Sequence, residues 1–105
     1  MAKPIGTLKP VVNTTISGSY SYSEPPFGSS AITFSGGTSG TFIITGTMLG
    51  FPIQAGGNYT VAANKITCTT TASNDPEEIG NKDTFTIIDA NTIRDDDRGD
   101  LWKKN

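Results

Sequence analysis

The densest cluster of reactive side chains is the acidic segment at residues 95–100. It reads Asp95-Asp96-Asp97-Arg98-Gly99-Asp100, with three contiguous carboxylates and a fourth after a glycine. Carboxylates bind calcium, but calcium loops place their acids at alternate positions and end on a bidentate acid. The contiguous spacing instead predicts a solvated hairpin turn whose charges protect a strand edge from pairing. Arg98-Gly99-Asp100 also resembles integrin-binding loops, although this tripeptide often occurs by chance.

The composition removes several catalytic and metal-binding mechanisms. The chain has no His and a single Cys, Cys68. His is the usual base of hydrolytic triads, and His and Cys are the usual zinc ligands. Glu24 is the only acid before Asp75, so a pair of carboxylates across a cleft, as in glycosidases, is not expected. The sequence therefore predicts a protein that is not an enzyme, with no catalytic residues, no metal and no cofactor.

Net charge and hydropathy limit the kinds of partner that this protein is expected to bind. With a net charge of −2 the protein is not expected to bind nucleic acid, because polyanions do not attract an acidic surface. The sequence contains no apolar run long enough for a membrane span, and its first residues are not a signal peptide. Cys68 has no partner for an intramolecular disulfide and is predicted to be a small buried core residue.

The elements that position these residues are predicted to be strands. Residues 59–67 and 85–93 share one pattern: an aromatic residue, Thr, a β-branched residue, a turn centred on Asn, and a strand restarting at Ile. The predicted strands cover residues 15–23, 31–35, 40–47, 57–62, 65–71, 82–88, 92–95 and 100–104. Short strands without intervening helices predict an antiparallel meander closed into a small all-β barrel of roughly eight strands. A two-sheet β-sandwich is the alternative architecture.

One β-barrel domain, residues 15–105, is expected after a flexible leader or tether at residues 1–14. Within the strands, alternation assigns Ser and Thr mostly to the outer face and the apolar residues to the interior. The inward set is Ile16, Gly18, Tyr20, Tyr22, Ile32, Phe34, Phe42, Ile44, Tyr59, Val61, Ile66, Cys68, Phe85, Ile87 and Ile93. A barrel of this size is either filled by its side chains or holds one small ligand, and so many aromatic residues favour a mostly filled interior.

Residues 48–56 are unusually apolar for a connection between strands. They include Met48, Leu49, Phe51 and Ile53, whereas connections in meanders are normally short and polar. The segment is predicted to be a plug that closes one end of the barrel. The alternatives are a lid over a small apolar pocket and an exposed patch for a partner.

Five short motifs together resemble a known group of proteins. They are Gly18-Ser19-Tyr20, Ile32-Thr33-Phe34-Ser35, Gly57-Asn58-Tyr59-Thr60-Val61, Asn64-Lys65-Ile66-Thr67 and Leu101-Trp102-Lys103-Lys104. Over residues 15–104 the chain resembles the small lipocalin-like domains of bacterial exported lipoproteins, whose function is mostly unknown. Lipocalins begin with Gly-x-Trp and pack a basic residue over that Trp. Here Tyr20 replaces the Trp, and the resemblance implies that Lys103 or Lys104 is the basic residue.

The leading functional hypothesis is a non-enzymatic binding module for a small apolar ligand. Its predicted ligand-binding residues are Tyr20, Tyr22, Phe51 and Ile53, at one end of the barrel. The alternative hypothesis is a surface or envelope interaction protein that uses the barrel as a scaffold for an unidentified protein partner. The resemblance implies an exported protein, periplasmic, surface-anchored or secreted, whose signal is absent from this chain.

Overall fold

The computed structural model describes residues 14–105, which form a closed barrel of eight antiparallel strands. Each strand pairs with the next along the chain, and the last strand returns to pair with the first. The fold is therefore the predicted meander barrel and not the two-sheet sandwich. The strands are β1 (Gly18–Glu24), β2 (Gly28–Phe34), β3 (Ser39–Met48), β4 (Phe51–Ala62), β5 (Lys65–Ser73), β6 (Lys82–Asp89), β7 (Thr92–Asp95) and β8 (Leu101–Lys104). A 3₁₀ turn at Pro76–Glu78 lies between β5 and β6.

The prediction of a plug at residues 48–56 is wrong. Met48 pairs directly with Phe51, so β3 and β4 are joined by a two-residue turn of Leu49 and Gly50. Both turn residues have positive φ, 52° and 83°, as in the tight turns whose twist matches paired strands. The hairpin therefore continues outward instead of folding back, and Phe51 and Leu49 are 74% and 67% exposed. Pairing between β3 and β4 therefore determines the structure of this segment, even though its composition is apolar.

Alternation along the strands is confirmed by the buried core. The buried apolar residues are Ile16, Tyr20, Ile32, Phe34, Phe42, Tyr59, Val61, Ile66, Cys68, Phe85, Ile93 and Trp102, with Tyr22, Ile44 and Ile87 packed against them in part. Thr86 is an exception on the outer face. It was predicted to be exposed but is buried, because Lys65 and Asp96 lie over it and bond to its hydroxyl.

One end of the barrel is closed by the segment that precedes β1. Thr14 and Ile16 donate backbone hydrogen bonds to the carbonyls of Ala63 and Gly37, which holds this segment across the end. The Ile16 side chain is buried, and its carbonyl accepts a hydrogen bond from the Tyr59 hydroxyl. Ile16 therefore closes the barrel in the way that had been predicted for residues 48–56. We call this the closed end.

The barrel wall is uneven in height. β3 and β4 have 10 and 12 residues, whereas β7 and β8 have four each. β4 bends at a register shift between Gly56 and Gly57. A Cβ atom on Gly57 would lie 1.9 Å from the Thr69 carbonyl oxygen, so only glycine fits this close approach. The β3–β4 hairpin consequently stands above the short β7–β8 side.

The predicted leader falls almost wholly outside the described residues, since only Thr14 of residues 1–14 is included. Within residues 14–105, no helix is long and apolar enough to cross a membrane.

Candidate functional site

A cavity of about 250 Å³ lies inside the barrel near the end opposite Ile16. We call this the mouth end; it carries the β1–β2, β3–β4, β5–β6 and β7–β8 connections. The lining of this mouth cavity combines apolar residues with charged and polar ones. Its apolar residues are Phe42, Ile44, Cys68, Phe85 and Trp102, and its polar residues are Thr70, Asp83, Asp95, Asp97 and Arg98.

A second cavity of about 400 Å³ adjoins the mouth cavity, with which it shares Ile44, Thr70 and Asp83 as lining residues. Its other lining residues are Pro52, Ile53, Ala55, Ser73, Asn74, Asp75 and Glu78. Small-molecule sites usually occupy about 300–1,000 Å³. The mouth cavity and its neighbour together therefore reach the size of a site for a small ligand.

Trp102 is the most unusual residue of the mouth cavity. Its side chain is buried, with 8% of the residue exposed, and it packs edge-on against the ring of Phe85 at 5.8 Å. Its indole Nε1–H, however, has no hydrogen-bond partner within residues 14–105. A buried donor without an acceptor costs about 1–3 kcal/mol in folding free energy. Trp102 thus lines the cavity and carries a buried donor that no acceptor within residues 14–105 satisfies.

Tyr22 and Arg98 lie at the mouth on the same side as Trp102, on which the Tyr22 ring stacks. The Tyr22 hydroxyl donates a 2.6 Å hydrogen bond to Glu24, which raises the pKa of Tyr22 to about 12. The Arg98 guanidinium pairs with Glu24 at 3.1 Å and with Asp100 at 3.0 Å. Arg98 and Asp100 are therefore engaged with each other and are not displayed as a free integrin-type loop.

The acidic segment forms the β7–β8 turn, as its spacing predicts. The Asp95 carboxylate accepts hydrogen bonds from the backbone N–H groups of Asp97 and Arg98, which fixes the turn. Within the described residues, no three acidic or Cys side chains are grouped as metal ligands. Two carboxylates of the segment, those of Asp95 and Asp97, instead line the mouth cavity.

The neighbouring carboxylates change the pKa of Asp83. It pairs in register with Cys68 across β5 and β6, and it lines both adjoining cavities. Partial burial raises the pKa of Asp83, and the negative charges of Glu78, Asp95 and Asp97 raise it further. The mouth is thus a region of mutually repelling carboxylates.

The four predicted ligand-binding residues do not come together. Tyr20 lies at the closed end, where its hydroxyl donates to the Ala90 carbonyl and its ring borders a separate cavity of about 470 Å³. Phe51 lies on the exposed hairpin tip. Ile53 lines the larger mouth-end cavity, and Tyr22 stacks on Trp102. Two of the four thus lie at or beside the mouth cavity and its neighbour.

Sequence reasoning missed Trp102 and Asp83 as site residues. Trp102 alternates with the exposed Leu101 and Lys103, which would have assigned it to the interior. Asp83 shares the inward phase of Phe85 and Ile87, and an acid on that phase is a signal of a polar opening in the core. Both signals were present in the strand pattern.

No protein-family model, curated protein or solved structure matches this chain. The functional argument therefore depends on the geometry of the site.

Proposed function

We propose that this protein is a non-enzymatic binding module whose mouth cavity takes a small, mostly apolar ligand that carries an oxygen acceptor. The observation that carries the proposal is the buried Trp102 indole N–H, which lacks a partner within residues 14–105 while its side chain lines a cavity. An acceptor on the ligand would satisfy this donor, and the ligand body would contact Phe42 and Phe85.

The lining favours binding over catalysis. Cys68 is the only thiol in the chain, and burial raises its pKa to about 12, with Asp83 adding to the effect. A thiol with so high a pKa is almost entirely protonated at neutral pH and is a poor nucleophile. With no His in the sequence, the cavity offers no side-chain base that is poised near neutral pH.

We further propose that the domain is lipocalin-like. The eight-stranded meander supports this assignment, as does one contact at the closed end: Lys104 Nζ lies 5.9 Å from the ring centroid of Tyr20. This cation–π contact matches the arrangement that the resemblance implies. Export from a bacterial cell is part of the same proposal and depends on the resemblance alone.

A second candidate function is favoured by the apolar hairpin tips. Phe27 in the β1–β2 turn is 49% exposed, beside Leu49 and Phe51 with their larger exposed fractions. The Leu49 N–H donates to the Phe27 carbonyl at 2.6 Å, so the two tips touch. Exposed apolar patches of this kind are typical of surfaces that contact another macromolecule.

The binding proposal can be tested on the indole N–H resonance of Trp102. The chain has a single Trp, so this signal is identified without further assignment. We expect a saturable shift with acetophenone, an aromatic ketone, and a weaker response to ethylbenzene, which has a similar size and no acceptor. A hydrogen bond of about 1 kcal/mol predicts roughly fivefold tighter binding of the ketone.

Two neighbouring variants provide the control. Ile44→Phe adds volume to a residue that lines both mouth-end cavities and should abolish the shift. Ile43→Phe makes the same change on the outer face, where Ile43 is 56% exposed, and should leave the shift intact. If neither compound moves the resonance, the binding proposal is wrong. A partner whose binding is lost in Phe51→Ser would then favour the second function.

A further inference from the structure

We infer that the ligand of the mouth cavity is an organic cation: a small aromatic or aliphatic body that carries, besides its oxygen acceptor, a protonated amine whose charge lies among Asp83, Asp95 and Asp97. This inference rests on the proposed function, because it specifies the chemical class of the ligand for the same cavity.

The first argument is the balance of charge around the mouth. The two adjoining cavities are lined by five carboxylates, which belong to Asp75, Glu78, Asp83, Asp95 and Asp97. Arg98 is the single basic residue in either lining. A cation that enters this region lowers the repulsion among the carboxylates, whereas an anion increases it.

The second argument is that no basic side chain of the described residues forms an ion pair with Asp83 or Asp97. The Arg98 guanidinium is held between Glu24 and Asp100, so two carboxylates outside the cavity lining offset its charge. Lys65 and Arg94 lie on the outer face and pair with Asp96. Lys82 is exposed and borders an outer cleft with Asp83, Asp96 and Asp97, but it takes part in none of the ion pairs of the described residues. The described cations thus leave the carboxylates of Asp83 and Asp97 without an ion pair.

The third argument is the aromatic part of the lining. Phe42, Phe85 and Trp102 line the mouth cavity, and Tyr22 stacks on Trp102. Aromatic faces attract organic ammonium groups through their ring quadrupoles, and Trp does so most strongly. Carboxylates at the opening and aromatic rings behind them fit a ligand with a charged head and an apolar body.

The arrangement fits an organic cation better than a metal ion. Calcium requires six to eight oxygen ligands around one point. The described acids form no group of three that could converge on a metal. An amine attached to an apolar body makes fewer demands on geometry and also uses the apolar lining.

The experiment compares three probes of matched shape that share a ketone acceptor: para-acetylbenzylamine, a cation at neutral pH; para-acetylbenzyl alcohol, its neutral analogue; and para-acetylbenzoate, an anion. Binding to the purified protein is followed at low salt by calorimetry and by the Trp102 indole resonance. We expect the amine to bind about tenfold more tightly than the alcohol, and the acetylbenzoate anion to bind least, because several partly exposed carboxylates act together. The preference should nearly vanish at about 1 M salt, where the Debye length is about 3 Å.

Two variants that remove the same charge at opposite ends complete the test. Asp83→Asn should weaken amine binding about threefold or more while leaving alcohol binding unchanged. Asp89→Asn, in the last residue of β6 at the closed end, should affect neither. Thermal unfolding of each variant verifies that it is folded.

The outcomes separate the two proposals. Equal binding of amine and alcohol would overturn the cation inference and leave the binding module in place. Failure of all three probes, together with acetophenone, would overturn both.

Discussion

The Tyr22 ring stacks on the Trp102 indole, with the ring centroids 5.6 Å apart and the planes inclined by 28°. This contact joins β1 to β8 across the seam that closes the barrel. Backbone pairing at the seam is short, since the register contains only Tyr20 with Lys104 and Ser21 with Lys103. The stacked pair therefore supplies side-chain contact where the backbone ladder is weakest, and it does so beside the mouth cavity.

Substitutions of Trp102 should separate the stability that its buried ring provides from the cost of its unpaired N–H donor. Trp102→Ala removes a buried aromatic ring and should lower the free energy of unfolding by about 3–5 kcal/mol. Trp102→Phe keeps most of the ring contact and removes the unsatisfied N–H, so its cost should be within about 1 kcal/mol. Urea denaturation followed by circular dichroism measures both. A Phe variant as unstable as the Ala variant would indicate that the indole nitrogen has a partner in solution.

Truncation of Ile16 should destabilise the protein much more than truncation of Phe51. Ile16 is buried at the closed end, so Ile16→Ala should cost about 2–4 kcal/mol. Phe51 projects from the β3–β4 hairpin, and Phe51→Ala should change the stability by less than about 0.5 kcal/mol. The two denaturation midpoints decide which segment closes the barrel, and the reverse order would restore the plug at residues 48–56.

The Asp96 carboxylate should make stability depend on acid pH. Its partial burial opposes ionisation, but bonds from Lys65 Nζ at 2.6 Å and from the hydroxyls of Thr86 and Thr84 outweigh this and lower the pKa of Asp96 to about 2. Because the unfolded value is about 3.9, this stabilisation is complete above pH ~4 and is lost as the pH falls toward ~2.

Asp96→Asn tests the origin of this pH dependence. The variant should be less stable than the parent by about 1–2 kcal/mol at neutral pH, since it weakens charge-assisted hydrogen bonds on the barrel surface. The difference should shrink as the pH falls through about 2, because the parent carboxylate becomes protonated as well. Asp97→Asn removes the same charge from an exposed neighbour and should have little effect. A constant difference across the pH range would assign the loss to packing instead.

Cys68 should report on opening of the barrel. Its side chain is buried, and burial raises the pKa of the thiol to about 12, so labelling by a disulfide reagent should be slow in the native state and complete in urea. An unfolded Cys ionises near pH ~8.5, so the protein should lose stability as the pH rises above that value. Rapid labelling at neutral pH without denaturant would show that the mouth cavity admits the reagent.

Much of the fold follows from the alternation of residue types. The Asn-centred patterns at residues 59–67 and 85–93 predict two hairpins, and both exist as β4–β5 and β6–β7. Alternation cannot distinguish a plug from a tall hairpin, because Met48 and Phe51 are apolar in either structure. The segment forms a tight hairpin because Leu49 and Gly50 adopt positive φ angles, and Leu is an unusual residue for that conformation.

The candidate site was harder to predict, because it depends on distances between strands that are far apart in sequence. Tyr20 and Tyr22 share one face of β1, yet Tyr20 packs toward Phe34 near the closed end and Tyr22 packs toward Trp102 near the mouth. Two residues along a strand span about 7 Å, which is enough to separate two sites in so small a barrel. Only the strand register shows that Asp83 faces Cys68.

The closed end also offers a place where a label or a surface can be attached to the protein without covering the cavity. Thr14 bonds to Ala63, and the Asn105 N–H bonds to the Ser19 carbonyl, so both ends of the described chain emerge opposite the mouth. A fluorescent label, a purification tag or a sensor chip joined directly after Asn105 would therefore sit away from the cavity. Molecules immobilised through this residue would all present the same open face to a flowing analyte.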